Sequence, residues 1–91
     1  VFVNREKWDK KWRAVIFDIP AKKNKSRNIL RLNLKQIGFI QLQKSVWVYP
    51  YKCSELIKLI KNYFHLGKEV TYMIVDKIEN DSELKKKFKL K

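Results

Sequence analysis

The pattern of apolar and polar positions along the chain predicts four β-strands. Runs of β-branched and aromatic residues that are bounded by turn-favouring residues are typical of strands. Such runs occupy residues 12–18, 39–43, 46–49 and 70–75. Lys44 and Ser45, between the second and third runs, fit either a tight hairpin or a bulged strand.

Helical spacing of apolar residues predicts two helices between these strands. The first is expected to be capped by Asn24 or Ser26 and to end at Gly38, which suits a left-handed terminating position. The second is expected to be capped by Ser54 and to end before Gly67. Each helix carries an apolar stripe for the core: Leu30, Leu34 and Ile37 on the first, and Leu56, Ile57, Ile60 and Phe64 on the second.

The order strand, helix, strand, strand, helix, strand predicts an α+β, ferredoxin-like βαββαβ fold. This fold has an antiparallel four-stranded sheet with two helices on one face. The other face is expected to be open and rich in aromatic residues, so it would need a partner, and a homodimer packed sheet to sheet is one solution. Trp47 and Tyr49 are expected to share one face, where packing is preferred over stacking on bases.

The ferredoxin-like domain is assigned to residues 1–76, including a lead-in over residues 1–11. Within and just after this lead-in, Trp8 and Trp12 are expected to anchor packing. Residues 77–91 are rich in lysine with isolated apolar residues, and they fit a C-terminal extension that is a basic docking tail, a short helix or the start of another domain. The first residue is Val, so further domains of the same polypeptide are left open.

The charge of the chain predicts a polyanionic partner. The chain has 22 Lys and Arg against 9 Asp and Glu, which gives a formal net charge of +13, and such a balance favours nucleic acid. No acidic residue occurs between Asp18 and Glu55, a stretch that contains eight basic side chains. The alternative is a surface whose charge only keeps the protein in solution.

Candidate phosphate contacts are concentrated in this acid-free stretch. Arginine binds phosphate through two nitrogens, and a helix spaces its basic side chains regularly. The positions 27, 31 and 35 recur every fourth residue and predict a basic ridge along the first helix, although a solvated helix face is the alternative. Ser45 either donates a hydrogen bond to a phosphate or forms part of the hairpin turn. The predicted nucleic-acid-binding residues are Lys22, Lys23, Arg27, Arg31, Lys35, Lys44 and Ser45.

Cysteine usage and hydropathy favour a cytoplasmic location. Cys53 is the single cysteine, so it cannot form an intramolecular disulfide. No apolar run approaches the length of a membrane span, and the N-terminus lacks the apolar core of a signal peptide. We therefore expect a reducing compartment and no membrane partner.

Four stretches resemble the central domain of the phenylacetic-acid-degradation repressor (PaaX) family. They are residues 8–13, 15–20, 37–39 and 45–50, which read WDKKWR, VIFDIP, IGF and SVWVYP. That domain is itself similar to the small CRISPR-associated endonuclease of spacer acquisition. The resemblance implies a dimerisation module beside DNA, which follows a winged helix-turn-helix in the repressors. No winged-helix sequence is present in these 91 residues.

The similarity to the endonuclease implies a role for Asp18. In that family the matching aspartate from each protomer of a dimer holds a divalent metal, so Asp18 is a candidate catalytic residue and a ligand for Mg²⁺ or Mn²⁺. The alternative is structural: an aspartate at a strand end caps the next loop and offsets Lys22 and Lys23.

The sequence therefore leaves three functions open. The preferred one is a non-enzymatic dimerisation domain of a PaaX-like DNA-binding transcriptional regulator, which contacts the DNA or RNA backbone as a homodimer and requires no cofactor. The second is a CRISPR-associated, Mg²⁺-dependent endonuclease that cuts DNA or RNA phosphodiesters. The third is a spacer-acquisition scaffold that binds nucleic acid without cutting it.

Overall fold

A computed structural model describes residues 7–90, so residues 1–6 of the predicted lead-in and residue 91 of the predicted tail lie outside the described residues. The described chain is α+β with four strands and three α-helices, as the ferredoxin-like prediction requires. In chain order the elements are β1 (Trp12–Phe17), a 3₁₀ turn (Ala21–Lys23), α1 (Asn24–Ile37), β2 (Ile40–Gln43), β3 (Val46–Tyr49), α2 (Ser54–Tyr63), β4 (Val70–Val75) and α3 (Ser82–Lys87).

The four strands form one antiparallel sheet in the order β2-β3-β1-β4. β1 is central, and Val15 lies opposite Trp47 of β3 and Tyr72 of β4. A two-residue turn joins β2 to β3, and the register shifts between Gln41 and Gln43. The connection is therefore both a tight hairpin and a bulged strand, and the predicted alternatives are combined.

Both long helices cover the same face of the sheet, as predicted. Leu30 and Leu34 of α1 and Ile57 of α2 are buried against strand residues of this face. Trp47 and Tyr49 share it and are also buried, with 1% and 5% of their surface exposed. Neither ring is free to stack on a base, so the packing interpretation describes them correctly.

The second face of the sheet differs from the prediction because it is mainly aliphatic and partly covered. After β4 the chain folds back, and Leu84 of α3 is buried with Trp12, Ala14 and Val48. The indole N–H of Trp12 donates to Asp81 Oδ2 at 3.2 Å. The predicted extension is therefore a short helix docked on the domain.

The N-terminal lead-in also packs here, as expected for its tryptophans. The ring centroids of Trp8 and Trp12 are 5.0 Å apart, and those of Trp12 and Phe88 are 5.9 Å apart. The two tryptophans and the C-terminal segment thus cover the half of the second face at which β1 begins.

The predicted N-terminal caps of α1 and α2 are wrong, whereas Gly38 ends α1 in the left-handed conformation as predicted. α1 begins at Asn24 as a continuation of the 3₁₀ turn, and no side chain forms a hydrogen bond to its first turn. α2 begins at Ser54, with Cys53 rather than Ser54 in the cap position. α2 ends at Tyr63, before Gly67 as predicted, and His65, with φ 52°, takes the left-handed conformation just beyond its end.

Candidate nucleic-acid interface

Three loops converge at the end of the sheet where β1 finishes. The backbone N–H of Phe17 donates to Ser45 O at 3.2 Å, and that of Asp18 donates to Glu69 O at 2.8 Å. These bonds fix the β2–β3 turn and the α2–β4 loop on either side of the segment that follows β1. We call the surface formed by residues 18–25, 44–45 and 65–69 the basic rim.

The basic rim has five lysines and one histidine against two carboxylates. Lys22, Lys44 and Lys68 are exposed. None of these three lysines forms a salt bridge within residues 7–90. Their ammonium groups are therefore free to contact phosphate.

Lys23 belongs to the rim but is already paired. Its Nζ lies 2.9 Å from Glu69 Oε2, and Glu69 Oε1 accepts the backbone N–H of Gly67 at 2.9 Å. The Gly67 N–H, and secondly Lys23, lower the pKa of Glu69 from 4.5 to about 2. The carboxylate that offsets Lys23 is thus Glu69 rather than Asp18, and Lys23 holds two loops together.

The basic ridge of α1 lies on the flank that faces away from α2. A helix turns about 100° per residue, so Arg27, Arg31 and Lys35 lie roughly opposite Ile29, which faces the α1–α2 groove. The guanidinium carbon of Arg31 lies 5.9 Å from the centroid of the Phe17 ring.

The arginines of the ridge combine packing with surface charge. Both side chains are half-buried, and the Nε atoms of Arg27 and Arg31 are buried with no hydrogen-bond partner in the part of the chain that the structure describes. Their stems are held in place by the fold, while Lys35 is exposed. An arginine that is already ordered loses less conformational freedom when it binds a phosphate.

The rim and the ridge form one continuous surface because α1 begins in the rim. This surface contains all seven predicted phosphate-contacting residues, but Lys23 is already paired with Glu69. Ser45 is half-buried and its carbonyl oxygen accepts a bond from β1, so its position in the turn serves the fold.

Lys68 is not among the predicted phosphate-contacting residues, because it lies outside the acid-free stretch. Pairing between β1 and β4 places the residues before Val70 beside the residues after Phe17, and this pairing follows from the predicted fold. Lys58, Lys61 and Lys68 also line a cleft of about 490 Å³ between α2 and β4. The cationic surface is therefore larger than the predicted set.

Asp18 is exposed at the end of β1. Within the described residues, no group of three or more His, Cys, Asp or Glu is arranged to hold a metal ion. The other acid of the rim, Glu69, is engaged by Lys23 and Gly67. Residues 7–90 of one chain therefore do not assemble a set of three metal ligands around Asp18, and a Mg²⁺ or Mn²⁺ site there would need the matching aspartate of a second copy.

No helix in the described part of the chain has the length and apolar character needed to cross a membrane.

A scan of family models matches residues 5–86 to the PaaX protein central Cas2-like domain. Comparisons with curated proteins and with solved structures gave no match. The family match covers most of the chain and includes all four strands and both long helices. The chain therefore belongs to the PaaX family, as its central Cas2-like domain.

Proposed function

We propose that the chain is the nucleic-acid-associated dimerisation domain of a PaaX-like DNA-binding transcriptional regulator, acting in the cytoplasm. The observation that carries this proposal is the joining of the basic rim to the basic ridge in one surface. Lys22 and Lys44 of the rim have no acidic partner among residues 7–90. The half-buried Arg27 and Arg31 continue the surface along α1.

The size of the ridge suits a nucleic-acid backbone. Arg27 and Lys35 are eight residues apart, which corresponds to about 12 Å along a helix. Phosphates of one DNA strand follow each other about every 3.4 Å along the duplex axis, so the ridge extends over roughly three to four of them. Contacts of this kind position a protein on DNA without selecting a sequence, which would be the task of another domain of the regulator.

The half of the second sheet face that residues 7–90 leave uncovered supports dimerisation. Ile16 is 37% exposed there and lies between Val46 of β3 and Thr71 of β4. The opposite half is occupied by the C-terminal segment around Leu84. A second copy on the uncovered half would have its β1 end, and hence its basic rim, beside that of the first. The dimer would then present one larger cationic surface.

The DNA part of the proposal is tested by a charge-matched pair of triple variants. The first combines Lys22→Ala, Arg27→Ala and Lys44→Ala. The control combines Lys77→Ala, Lys86→Ala and Lys87→Ala, which remove the same charge from the other end of the sheet. Fluorescence anisotropy with a labelled duplex is measured over a range of salt concentrations.

We expect the rim variant to bind more weakly and to lower the slope of log affinity against log salt by about 2.7, or 0.9 for each lost phosphate contact. The control should keep most of the wild-type slope. Equal losses in the two variants would mean that only net charge matters, and the assigned surface would be wrong.

The dimer part is tested by sedimentation velocity on Ile16→Glu and Ile74→Glu. Ile74 is more exposed than Ile16 and lies on the other side of the sheet, in register with Arg13. We expect Ile16→Glu to dissociate the sheet-face dimer and Ile74→Glu to leave it intact. A wild-type dimer that survives Ile16→Glu would exclude this face as the interface.

A further inference from the structure

The outer surface of the two long helices carries an apolar groove. It has a volume of about 410 Å³ and lies between α1 and α2. Leu59 is 66% exposed and Tyr63 is 78% exposed, although both are large apolar residues. We call the residues that line this groove the helix-face patch: Ile29, Asn33, Leu59, Ile60, Tyr63 and Phe64.

The helix-face patch contains no charged residue, although 34% of the whole chain is charged. The centres of protein interfaces are depleted of charged residues and enriched in aromatic ones, with tyrosine among the frequent energetic anchors. The Tyr63 ring already packs edge-on against Phe64, with centroids 4.9 Å apart. Its partial ordering lowers the entropy cost of binding.

The charges at the two ends of the patch indicate its occupant. α1 begins in the basic rim, whereas α2 runs back towards it, so the helices are antiparallel. Lys25 precedes Ile29 by one turn at the rim end, and Glu55 precedes Leu59 by one turn at the far end. Lys25 has no salt bridge within the described range, and Glu55 reaches only Lys58, at 4.0 Å.

The charges at the two ends of the helix-face patch make the patch complementary to a second copy of itself. A two-fold axis through the centre of the patch would reverse the direction of the second copy, so that Lys25 meets the partner's Glu55 and Glu55 meets the partner's Lys25. The uncharged centre would be buried against its own equivalent. Two chains of net charge +13 repel each other, and this patch is a surface on which close approach brings opposite charges together.

We propose that the helix-face patch binds the same patch of a second copy of this chain. This contact is independent of the sheet-face dimer in the proposed function, because it uses the opposite side of the molecule. Chains that use both contacts would assemble beyond a dimer, either closing as a tetramer or continuing as a chain.

The first test is sedimentation velocity over a concentration series with wild type, Leu59→Glu and Tyr63→Glu. Both replaced residues are largely exposed, so the variants should fold, and circular dichroism checks this. We expect the wild type to form species larger than a dimer and both variants to stop at the dimer. A wild-type mass distribution that neither variant changes would overturn the proposal.

The second test uses the charges at the ends of the patch. Lys25→Glu and Glu55→Lys are each expected to weaken helix-face association about tenfold, because each change replaces attraction by repulsion at two symmetry-related pairs. The double variant should restore the wild-type association. If the double variant associates as weakly as the two single variants, the two-fold arrangement is contradicted.

Comparing Ile16→Glu with Leu59→Glu distinguishes the sheet-face contact from the helix-face contact. If Ile16→Glu reduces the mass and Leu59→Glu does not, the sheet-face dimer stands and the helix-face proposal fails. If only Leu59→Glu reduces the mass, the sheet-face dimer fails. A wild type that is monomeric at all concentrations would overturn both.

Discussion

Arg13 and Asp9 form a two-point ion pair at the start of β1. The guanidinium donates from Nη1 to Asp9 Oδ1 at 2.8 Å and from Nη2 to Asp9 Oδ2 at 2.7 Å, although the Arg13 side chain is 2% exposed. Nη1 also donates to the carbonyl oxygens of Lys11 and Pro50, each at 3.0 Å. One buried arginine thus joins the lead-in, β1 and the segment after β3, and it holds the pKa of Asp9 well below its usual range.

Replacing Asp9 with Ala is expected to lower the free energy of unfolding by about 2–3 kcal/mol. The change removes the carboxylate and leaves a buried cation with only carbonyl partners, and hydrogen bonds to charged groups are worth more than neutral ones. Urea denaturation measures the loss.

Glu83→Ala is the control, because the Glu83–Lys86 pair is 3.9 Å apart and largely exposed. Such a pair contributes little to stability, so we expect the free energy of unfolding to change by less than about 0.5 kcal/mol. Similar losses in the two variants would mean that the Arg13–Asp9 pair has no special role.

The two glycines of the chain should respond differently to alanine. Gly38 ends α1 with φ 118°, and a Cβ there would lie 3.3 Å from Tyr49 Cε1. We expect Gly38→Ala to destabilise the domain by about 1–2 kcal/mol, through backbone strain and this contact. At Gly67 a Cβ would meet no atom within 4 Å, so Gly67→Ala should be close to neutral. Thermal unfolding of the two variants checks the difference.

The lowered pKa of Glu69 predicts that the folded domain loses stability in acid. Its folded pKa of about 2 lies below the ordinary value of 4.5, so its contribution is fully present above pH 4.5 and is lost as the pH falls from 4.5 towards 2. Wild type and Glu69→Gln should therefore differ in melting temperature at pH 7 and converge near pH 2. Glu79→Gln, an exposed site, should show no comparable convergence, and parallel curves for wild type and Glu69→Gln would contradict the assignment.

The regulator proposal predicts that the chain does not cut nucleic acid. We expect no Mg²⁺- or Mn²⁺-dependent cleavage of labelled single- or double-stranded DNA or RNA by wild type, and the same result for Asp18→Ala. Asp76→Ala, an exposed aspartate after β4, is the control. Cleavage by wild type and by Asp76→Ala that disappears in Asp18→Ala would instead support the nuclease.

The strand order and the core stripes could be predicted because they depend on local apolar spacing. Val46–Tyr49 and Val70–Val75 have their predicted bounds, and Leu30 and Leu34 are buried as their spacing indicates. The sequence did not reveal that Glu69 pairs with Lys23, since 46 positions separate them and only the β1–β4 pairing brings them together. The place at which the C-terminal extension docks could not be predicted for the same reason, because Leu84 meets Ala14 only after the chain has folded back.

The contact between the lead-in and the C-terminal segment also determines where the ends of the domain lie. Lys85 Nζ is 5.9 Å from the centroid of the Trp8 ring, and Asp81 is bonded to Trp12. Residues 8–12 and 81–85, near the two ends of the described chain, therefore lie side by side at the end of the sheet opposite the basic rim. A short linker would join them into a closed ring, and new termini could be opened in an exposed turn, since circular permutation is tolerated at such sites. A circular permutation of residues 7–90 is therefore expected to keep the same four-stranded sheet.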